Sequence, residues 1–223
     1  MVPKIRKVEK TFVCKKCFGK IIVRNIPEID YKAMGISHDL YYNGWMKACP
    51  HCGVTYNKLG DSEKDEYSTR SVMFEVDRRV SSTVEDLNVL GCTTTFSCQG
   101  HLEHKYGAKE VSISFPYISM EVDDASRRFC SLFSSILKDM NSEYWYIDRT
   151  SELRPMYPAI SIRAKSYLYS YVHTKSKFEE INSDVFLELA KIMNKVRERV
   201  SEDEQKKLDE ASRKLMIIDI NTL

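Results

Sequence analysis

The sequence predicts an α+β protein in which two helices back an antiparallel sheet. Short runs with alternating apolar side chains, typical of strands, are interrupted by two segments whose apolar side chains recur at helical spacing. The chain has 223 residues, 43% of them hydrophobic and 30% charged, which is the composition of a globular protein with room for one medium domain and attachments. No apolar run approaches the ~20 residues of a membrane span and no signal core follows the N-terminus, so we expect a cytoplasmic protein that binds no membrane.

The first 60 residues contain two C-x-x-C pairs, Cys14 with Cys17 and Cys49 with Cys52. Each pair directs two thiolates to one point, and four thiolates complete the closed tetrahedral shell of a structural Zn²⁺. In a cytosolic protein, paired C-x-x-C is more typical of a metal site than of disulfides. A redox pair and chance are the alternatives. We therefore predict a zinc ribbon over residues 1–60, with His51 between two ligands and pointing outward.

A polar stretch separates this ribbon from a predicted α+β domain over residues 68–166. The first helix is indicated by an apolar stripe from Val76 to Leu90, which Gly91 caps, and the second by a stripe from Val122 to Leu137. Strands are predicted around these helices at 71–76, 92–98, 111–115, 144–147 and 159–163. The order β-α-β-β-α-β with one more strand is the signature of a ferredoxin-like sandwich, whose second sheet face is open or covered by attachments.

Residues 175–223 are predicted to form a C-terminal helical pair. Val185, Leu189 and Val196 form the apolar stripe of the first helix, and a capping box over 201–204 begins the second. Such a pair typically covers a sheet or forms a dimer contact, so a homo-oligomer is one expectation.

A candidate site lies where the strand over 92–98 ends in Ser97-Cys98-Gln99-Gly100-His101. Hydroxyl, amide and backbone N–H groups in this turn form a donor nest for a phosphate, a ribose or a base edge. Two arginines on or near later strands are suited to bidentate phosphate contacts. The predicted ligand-binding residues are Thr95, Ser97, Cys98, Gln99, Gly100, His101, Arg154 and Arg163.

Each of these assignments has a structural alternative. The turn can be an ordinary strand end with Cys98 as a small buried hydrophobe, and Arg163 can form a surface salt bridge. Residues 144–146, Tyr-Trp-Tyr, offer either a stacking surface or core packing.

Two further arrangements around Cys98 remain alternatives. Cys98, His101 and His104 have usable spacing for a second metal, although no carboxylate partner is obvious. Cys98 could instead act as a nucleophile paired with His101 or His173. No residue is assigned a catalytic role.

The T-x-x-S-C-x-G core from Thr94 to Gly100 resembles the signature of the tRNA wybutosine-synthesis methyltransferases, the third protein of that pathway. It is also similar to small phage and bacterial proteins that read S-C-x-G-H. His101 stands where the tRNA enzymes have an arginine. The zinc ribbon is an addition to these proteins. The resemblance, together with the absence of a complete catalytic set in the sequence, implies a phage-type protein that binds a nucleotide or nucleotide-derived small molecule without turnover, for instance to sequester a host immune signal in the host cytoplasm. The alternatives are a methyltransferase-like enzyme acting on tRNA, with RNA as the partner, and a zinc-dependent protein-interaction module.

Overall fold

The computed structural model describes residues 7–27, 48–55, 73–104, 111–153 and 158–219, which form a mixed α/β chain with mainly antiparallel sheets. The chain divides into two compact units, one of Met1–Val76 with Glu210–Leu223 and one of Asp77–Asp209. The polar stretch predicted after the ribbon lies outside the described residues.

The described residues contain strands, four α-helices and one short 3₁₀ helix at Ser166–Tyr169. In chain order the strands and α-helices are β1 (Lys7–Cys14), β2 (Lys20–Pro27), β3 (Met73–Val76), α1 (Ser81–Val89), β4 (Thr94–Cys98), β5 (His101–His104), β6 (Val111–Ser114), β7 (Tyr117–Glu121), α2 (Asp124–Asp139), β8 (Trp145–Asp148), β9 (Ala159–Ala164), α3 (Lys175–Arg199), α4 (Glu202–Arg213) and β10 (Leu215–Asp219).

The first unit contains a four-stranded sheet in the order β10-β2-β1-β3. The strand β1 lies between β2 and β3 and is antiparallel to both, whereas β10 runs parallel to β2. One cluster of buried side chains packs on this sheet: Phe12, Cys14, Ile21, Val23, Ile26, Cys49, Val54 and Met73. Two of the C-x-x-C cysteines therefore belong to the hydrophobic core of this unit.

Two strands of this sheet differ from the sequence prediction. The strand predicted at 71–76 was placed in the ferredoxin-like sheet, but β3 pairs with β1 instead. The predicted C-terminal helical pair is observed as α3 and α4, and the chain then continues into β10, for which a helix was expected. The first difference concerns pairing between strands that are distant in sequence, which periodicity does not report. The second concerns the type of element, because the short apolar run Leu215–Asp219 pairs with β2 as a strand.

The second unit contains a four-stranded antiparallel sheet in the order β4-β7-β9-β8 and a separate two-stranded hairpin of β5 and β6. The predicted strand at 111–115 is β6, and it pairs with β5 rather than with the main sheet. The strand that pairs with β4 is β7. Sequence analysis missed this strand because the predicted helical stripe begins at Val122, directly after it. That helix, α2, begins later, at an N-cap in which Asp123 accepts a hydrogen bond from the Ser126 N–H (2.7 Å).

One face of this sheet is buried. Ile118 on β7 and Ile162 on β9 are directly paired and fully buried. Trp145 on β8 is 1% exposed, and its indole N–H donates to the Val185 carbonyl of α3 (2.8 Å). The predicted stripe of α2 is also buried, through Phe129, Phe133 and Ile136.

Candidate functional site

The four cysteines of the two C-x-x-C pairs come together at one end of the first unit's sheet. Cys14 ends β1 and Cys17 lies in the turn that leads to β2, while Cys49 and Cys52 flank a second turn. The cysteines of the second turn are bracketed by an antiparallel bridge between Ala48 and Thr55. The four sulfur atoms lie within 4.8 Å of one another, close enough to hold a metal ion.

The distances between the sulfur atoms fit a tetrahedral ion and exclude disulfides. With Zn–S bonds of ~2.3 Å, tetrahedral angles require sulfur atoms about 3.8 Å apart. The Cys14 and Cys52 sulfurs are 3.9 Å apart, and those of Cys17 and Cys49 are 3.7 Å apart. A disulfide requires about 2.05 Å. The geometry therefore matches a four-thiolate shell.

Burial disfavours free thiolates in this cluster. It is the main cause that raises the pKa of Cys14 far above its usual value and the pKa of Cys17 to about 11. A bound cation reverses this preference because metal ligands must be deprotonated. The Lys16 backbone N–H also donates to the Cys14 sulfur (3.4 Å), a contact that favours the charged form.

His51 does not point outward as predicted. It is half-buried, and its Nε2 donates to the Lys20 carbonyl oxygen (3.1 Å). A Cβ atom at Gly19 would come within 2.6 Å of the His51 ring. Gly19 therefore makes room for this imidazole, whereas Gly53 supplies the left-handed backbone (φ +66°) that ends the second turn.

The turn after β4 is held mainly through Gln99. Its backbone N–H donates to Asp77 Oδ2 (3.0 Å), and its side-chain oxygen accepts from the Arg79 N–H (3.3 Å). Its carbonyl accepts from the Asn182 side chain of α3 (3.2 Å). These contacts of Gln99 within the chain fix the direction in which the turn leaves the sheet.

Gly100 forms the kink between the main sheet and the β5–β6 hairpin. Its φ is +83°, and a Cβ atom here would lie 3.0 Å from both the Ser114 carbonyl oxygen and Pro116. Its N–H donates to the Cys98 sulfur (3.3 Å). Only glycine combines this conformation with such a close approach.

The kink brings Asp77, Cys98 and His101 together, with their potential ligand atoms within 4.8 Å of one another. His101 Nε2 lies 3.6 Å from Asp77 Oδ2, and the His101 side chain is 46% exposed. Sequence analysis grouped Cys98 and His101 with His104 and missed Asp77, because the aspartate reaches the turn only through the fold. Burial raises the pKa of Cys98, which favours the protonated, weakly nucleophilic thiol.

A continuous row of side chains crosses the second sheet at the level of this turn. Cys98, Tyr117, Arg163 and Tyr146 stand directly opposite one another on β4, β7, β9 and β8. Directly paired residues share a face, so these four lie opposite the buried Ile118 and Ile162. Tyr146 is 39% exposed.

The next row on the same face contains Phe96, Ser119, Ser161 and Asp148. Phe96, on the edge strand β4, is 69% exposed. The two serine hydroxyls are buried and lie 2.7 Å apart. The face therefore presents aromatic rings around a small polar floor.

Arg163 connects the two rows. Its Nε lies 3.0 Å from Asp148 Oδ2, and its guanidinium carbon is 5.1 Å from the centroid of the Tyr117 ring. The salt-bridge alternative for Arg163 is thus what the structure shows. The ion pair and the cation–π contact hold the guanidinium between Asp148 and the Tyr117 ring.

The other predicted site residues are placed differently. Ser97 faces the same side as Ile118, away from the aromatic rows, and Thr95 is exposed at an irregularity in β4. Trp145 belongs to the core, which leaves Tyr146 as the exposed aromatic of β8. Arg154 lies outside the described residues.

No family model, curated protein or solved structure matches this chain. Among the described residues, no helix combines the length and apolar character needed to cross a membrane.

Proposed function

We propose that the protein binds a nucleotide or nucleotide-derived small molecule on the sheet face of its second unit that carries the exposed rings of Phe96 and Tyr146. The observation that carries this proposal is the pair of rows in which Phe96, Tyr117 and Tyr146 surround Arg163 on one face. Aromatic side chains on a four-stranded sheet are a common platform on which bases stack, at ~1–3 kcal/mol per base. Arg163 pairs with Asp148 through its Nε, and its terminal guanidinium N–H groups could donate to a phosphate.

The width of the platform favours a ligand with two bases. Phe96 on β4 and Tyr146 on β8 are separated by three strand spacings across the sheet and by one row along it, or roughly 16 Å. At this distance a single base can stack on the ring of Phe96 or on that of Tyr146, but it cannot stack on both. A dinucleotide or cyclic dinucleotide could place its bases on the two rings and its phosphates over Arg163.

We also infer the finer architecture. The tetracysteine cluster is best explained as the zinc site of a ribbon module, because its sulfur spacing is that of a closed Zn²⁺ shell. The second sheet corresponds to a circularly permuted ferredoxin-like arrangement. The strands β7 and β9 take the central places, β8 one edge, and β4 the edge that the last strand of the ferredoxin-like order would occupy.

Calorimetric titration with a mononucleotide and a dinucleotide tests the proposal. Phe96→Ala and Tyr146→Ala should each weaken dinucleotide binding about five- to a hundredfold, as expected from the loss of one stacked base. Tyr171→Ala is the matched control because Tyr171 is 87% exposed and lies in a turn outside the sheet. Unchanged dinucleotide affinity in both sheet variants would refute the site.

Salt dependence separates a small ligand from RNA. Binding of a long RNA should weaken steeply as salt rises because many counterions are released. A small nucleotide should show only a mild change. If affinity falls steeply with salt and the protein binds tRNA tightly, the small-molecule proposal is refuted in favour of the RNA alternative. Methyl transfer to tRNA would then be assayed directly.

A further inference from the structure

The cluster of Asp77, Cys98 and His101 is separate from the tetracysteine cluster. It meets the proposed base-stacking face only at Cys98, which pairs with Tyr117 at the end of one row. It combines a carboxylate, a thiol and an imidazole from two chain segments, with their ligand atoms within 4.8 Å of one another. Asp77 follows β3, whereas Cys98 ends β4 and His101 begins β5. Three different metal-binding groups converge here without a ribbon motif.

We infer that Asp77, Cys98 and His101 form a second zinc site with three protein ligands. Tetrahedral coordination with Zn–N and Zn–O bonds of ~2.0–2.2 Å places a nitrogen and an oxygen ligand about 3.4 Å apart. His101 Nε2 and Asp77 Oδ2 are 3.6 Å apart. Two ligand atoms thus already stand at the separation that a shared ion requires.

The surrounding backbone orients two of the three ligands. The Gln99 N–H donates to Asp77 Oδ2 and the Gly100 N–H donates to the Cys98 sulfur. Hydrogen bonds of this kind hold metal ligands in position and are part of the design of metal sites. The positive φ of Gly100 makes the arrangement possible, because it returns the chain so that His101 faces the aspartate.

The ligand set selects the metal. Thiolate and imidazole favour Zn²⁺ over Mg²⁺ or Ca²⁺, which prefer oxygen ligands. The site differs from the tetracysteine cluster because three protein ligands leave a fourth position for water or for an oxygen atom of a bound molecule. His101 and Asp77 are 46% and 31% exposed, so the position is accessible to solvent.

Zinc titration of the purified protein, without any nucleotide, tests this site independently of the proposed function. We expect one zinc equivalent present on purification and a second that binds on titration. Asp77→Asn, Cys98→Ala and His101→Ala should each weaken the second equivalent by more than tenfold, since even outer-shell changes cost 10- to 100-fold. His173→Ala is the control because His173 is an exposed histidine outside the cluster. It should leave both equivalents unchanged.

A second measurement needs no variant. Bound zinc should protect Cys98 from alkylation, which peptide mass spectrometry detects at that residue, while the protection of Cys92 should not depend on added zinc. The assignment is overturned if wild-type protein binds no second equivalent, if added zinc leaves Cys98 alkylation unchanged, or if any of the three variants retains wild-type affinity.

Discussion

Replacing Cys49 by serine tests the metal site of the first unit most directly. Cys49 is 1% exposed, lies 3.7 Å from the Cys17 sulfur and belongs to the buried cluster on the first sheet. The substitution removes one thiolate from the four-sulfur shell. It also places a hydroxyl in the hydrophobic core of this unit.

The expected loss is large compared with the stability of a small domain. Structural zinc contributes about 10–16 kcal/mol in zinc-finger peptides, so an even share per ligand is roughly 3–4 kcal/mol. A buried hydroxyl without its hydrogen bond adds about 1–3 kcal/mol. The sum approaches the ~5–15 kcal/mol by which whole domains are stable. We therefore expect Cys49→Ser to lose its zinc and unfold the first unit locally.

Metal analysis and hydrogen exchange measured by mass spectrometry check this prediction together. Zinc should fall from one equivalent towards none, and amide protection should be lost in β1 and β2. The matched control is Cys130→Ser. Cys130 is a fully buried cysteine of α2 that belongs neither to the tetracysteine cluster nor to the cluster of Asp77, Cys98 and His101. That variant should lose stability but keep its zinc. Full zinc retention in Cys49→Ser with unchanged protection of β1 would refute the tetrahedral assignment.

Three further predictions concern the second unit. Ile136→Ala should lower the free energy of unfolding, measured by urea denaturation, by roughly 2–5 kcal/mol because the side chain is fully buried. A decrease below about 0.5 kcal/mol would contradict this packing. Ser201→Ala should lower the free energy of unfolding by about 1 kcal/mol at pH 7, because the Ser201 hydroxyl accepts a hydrogen bond from the Glu204 N–H at the start of α4. Two hydrogen bonds lower the pKa of Glu204: one from the Ser201 backbone N–H, which the variant keeps, and one from the Ser201 hydroxyl, which it loses. The hydroxyl's contribution is present above the ordinary carboxyl range and is lost as the pH falls below about 4.3, so the variant should lose less stability at pH 3 than at pH 7. An equal loss at both pH values would exclude this contribution. Gly100→Ala should destabilise more than Gly91→Ala in the same assay, since both glycines have positive φ but a Cβ at Gly91 meets its nearest neighbour only at 3.6 Å; equal costs would show that the close approach at Gly100 is relaxed.

The sequence was informative wherever the signal is local. The two C-x-x-C pairs identify the four clustered cysteines because each pair forms its own turn. The stripe through Phe129 and Ile136 identifies the buried face of α2 because helical spacing alone decides it. The overall α+β class followed from the same local periodicities.

The sequence was less informative wherever distant segments meet. The pairing of β3 with β1 and of β10 with β2 depends on segments far apart in the chain, and alternating patterns do not specify a partner strand. The strand β7 was missed because Pro116 before it and the acidic residues after it are typical of a loop followed by a helix. Asp77 was missed for a related reason, since only the turn geometry brings it to Cys98.

The packing of the core also determines the geometry of the exposed face. On β7, Tyr117 and Ile118 point to opposite sides, and Ile118 pairs with the buried Ile162 of β9. A slip of one residue would expose the isoleucine and bury the tyrosine, at a cost of about 1.5–3 kcal/mol for the lost burial of that aliphatic side chain alone. The register is therefore held by the buried rows. The row from Cys98 through Tyr117 and Arg163 to Tyr146 lies on the other side of the same paired strands, so the buried rows position it in addition to its own Arg163–Tyr117 contact. A sheet face positioned this way can change its exposed side chains while the fold stays the same. The variants Phe96→Ala and Tyr146→Ala can for that reason test the proposed binding rather than folding.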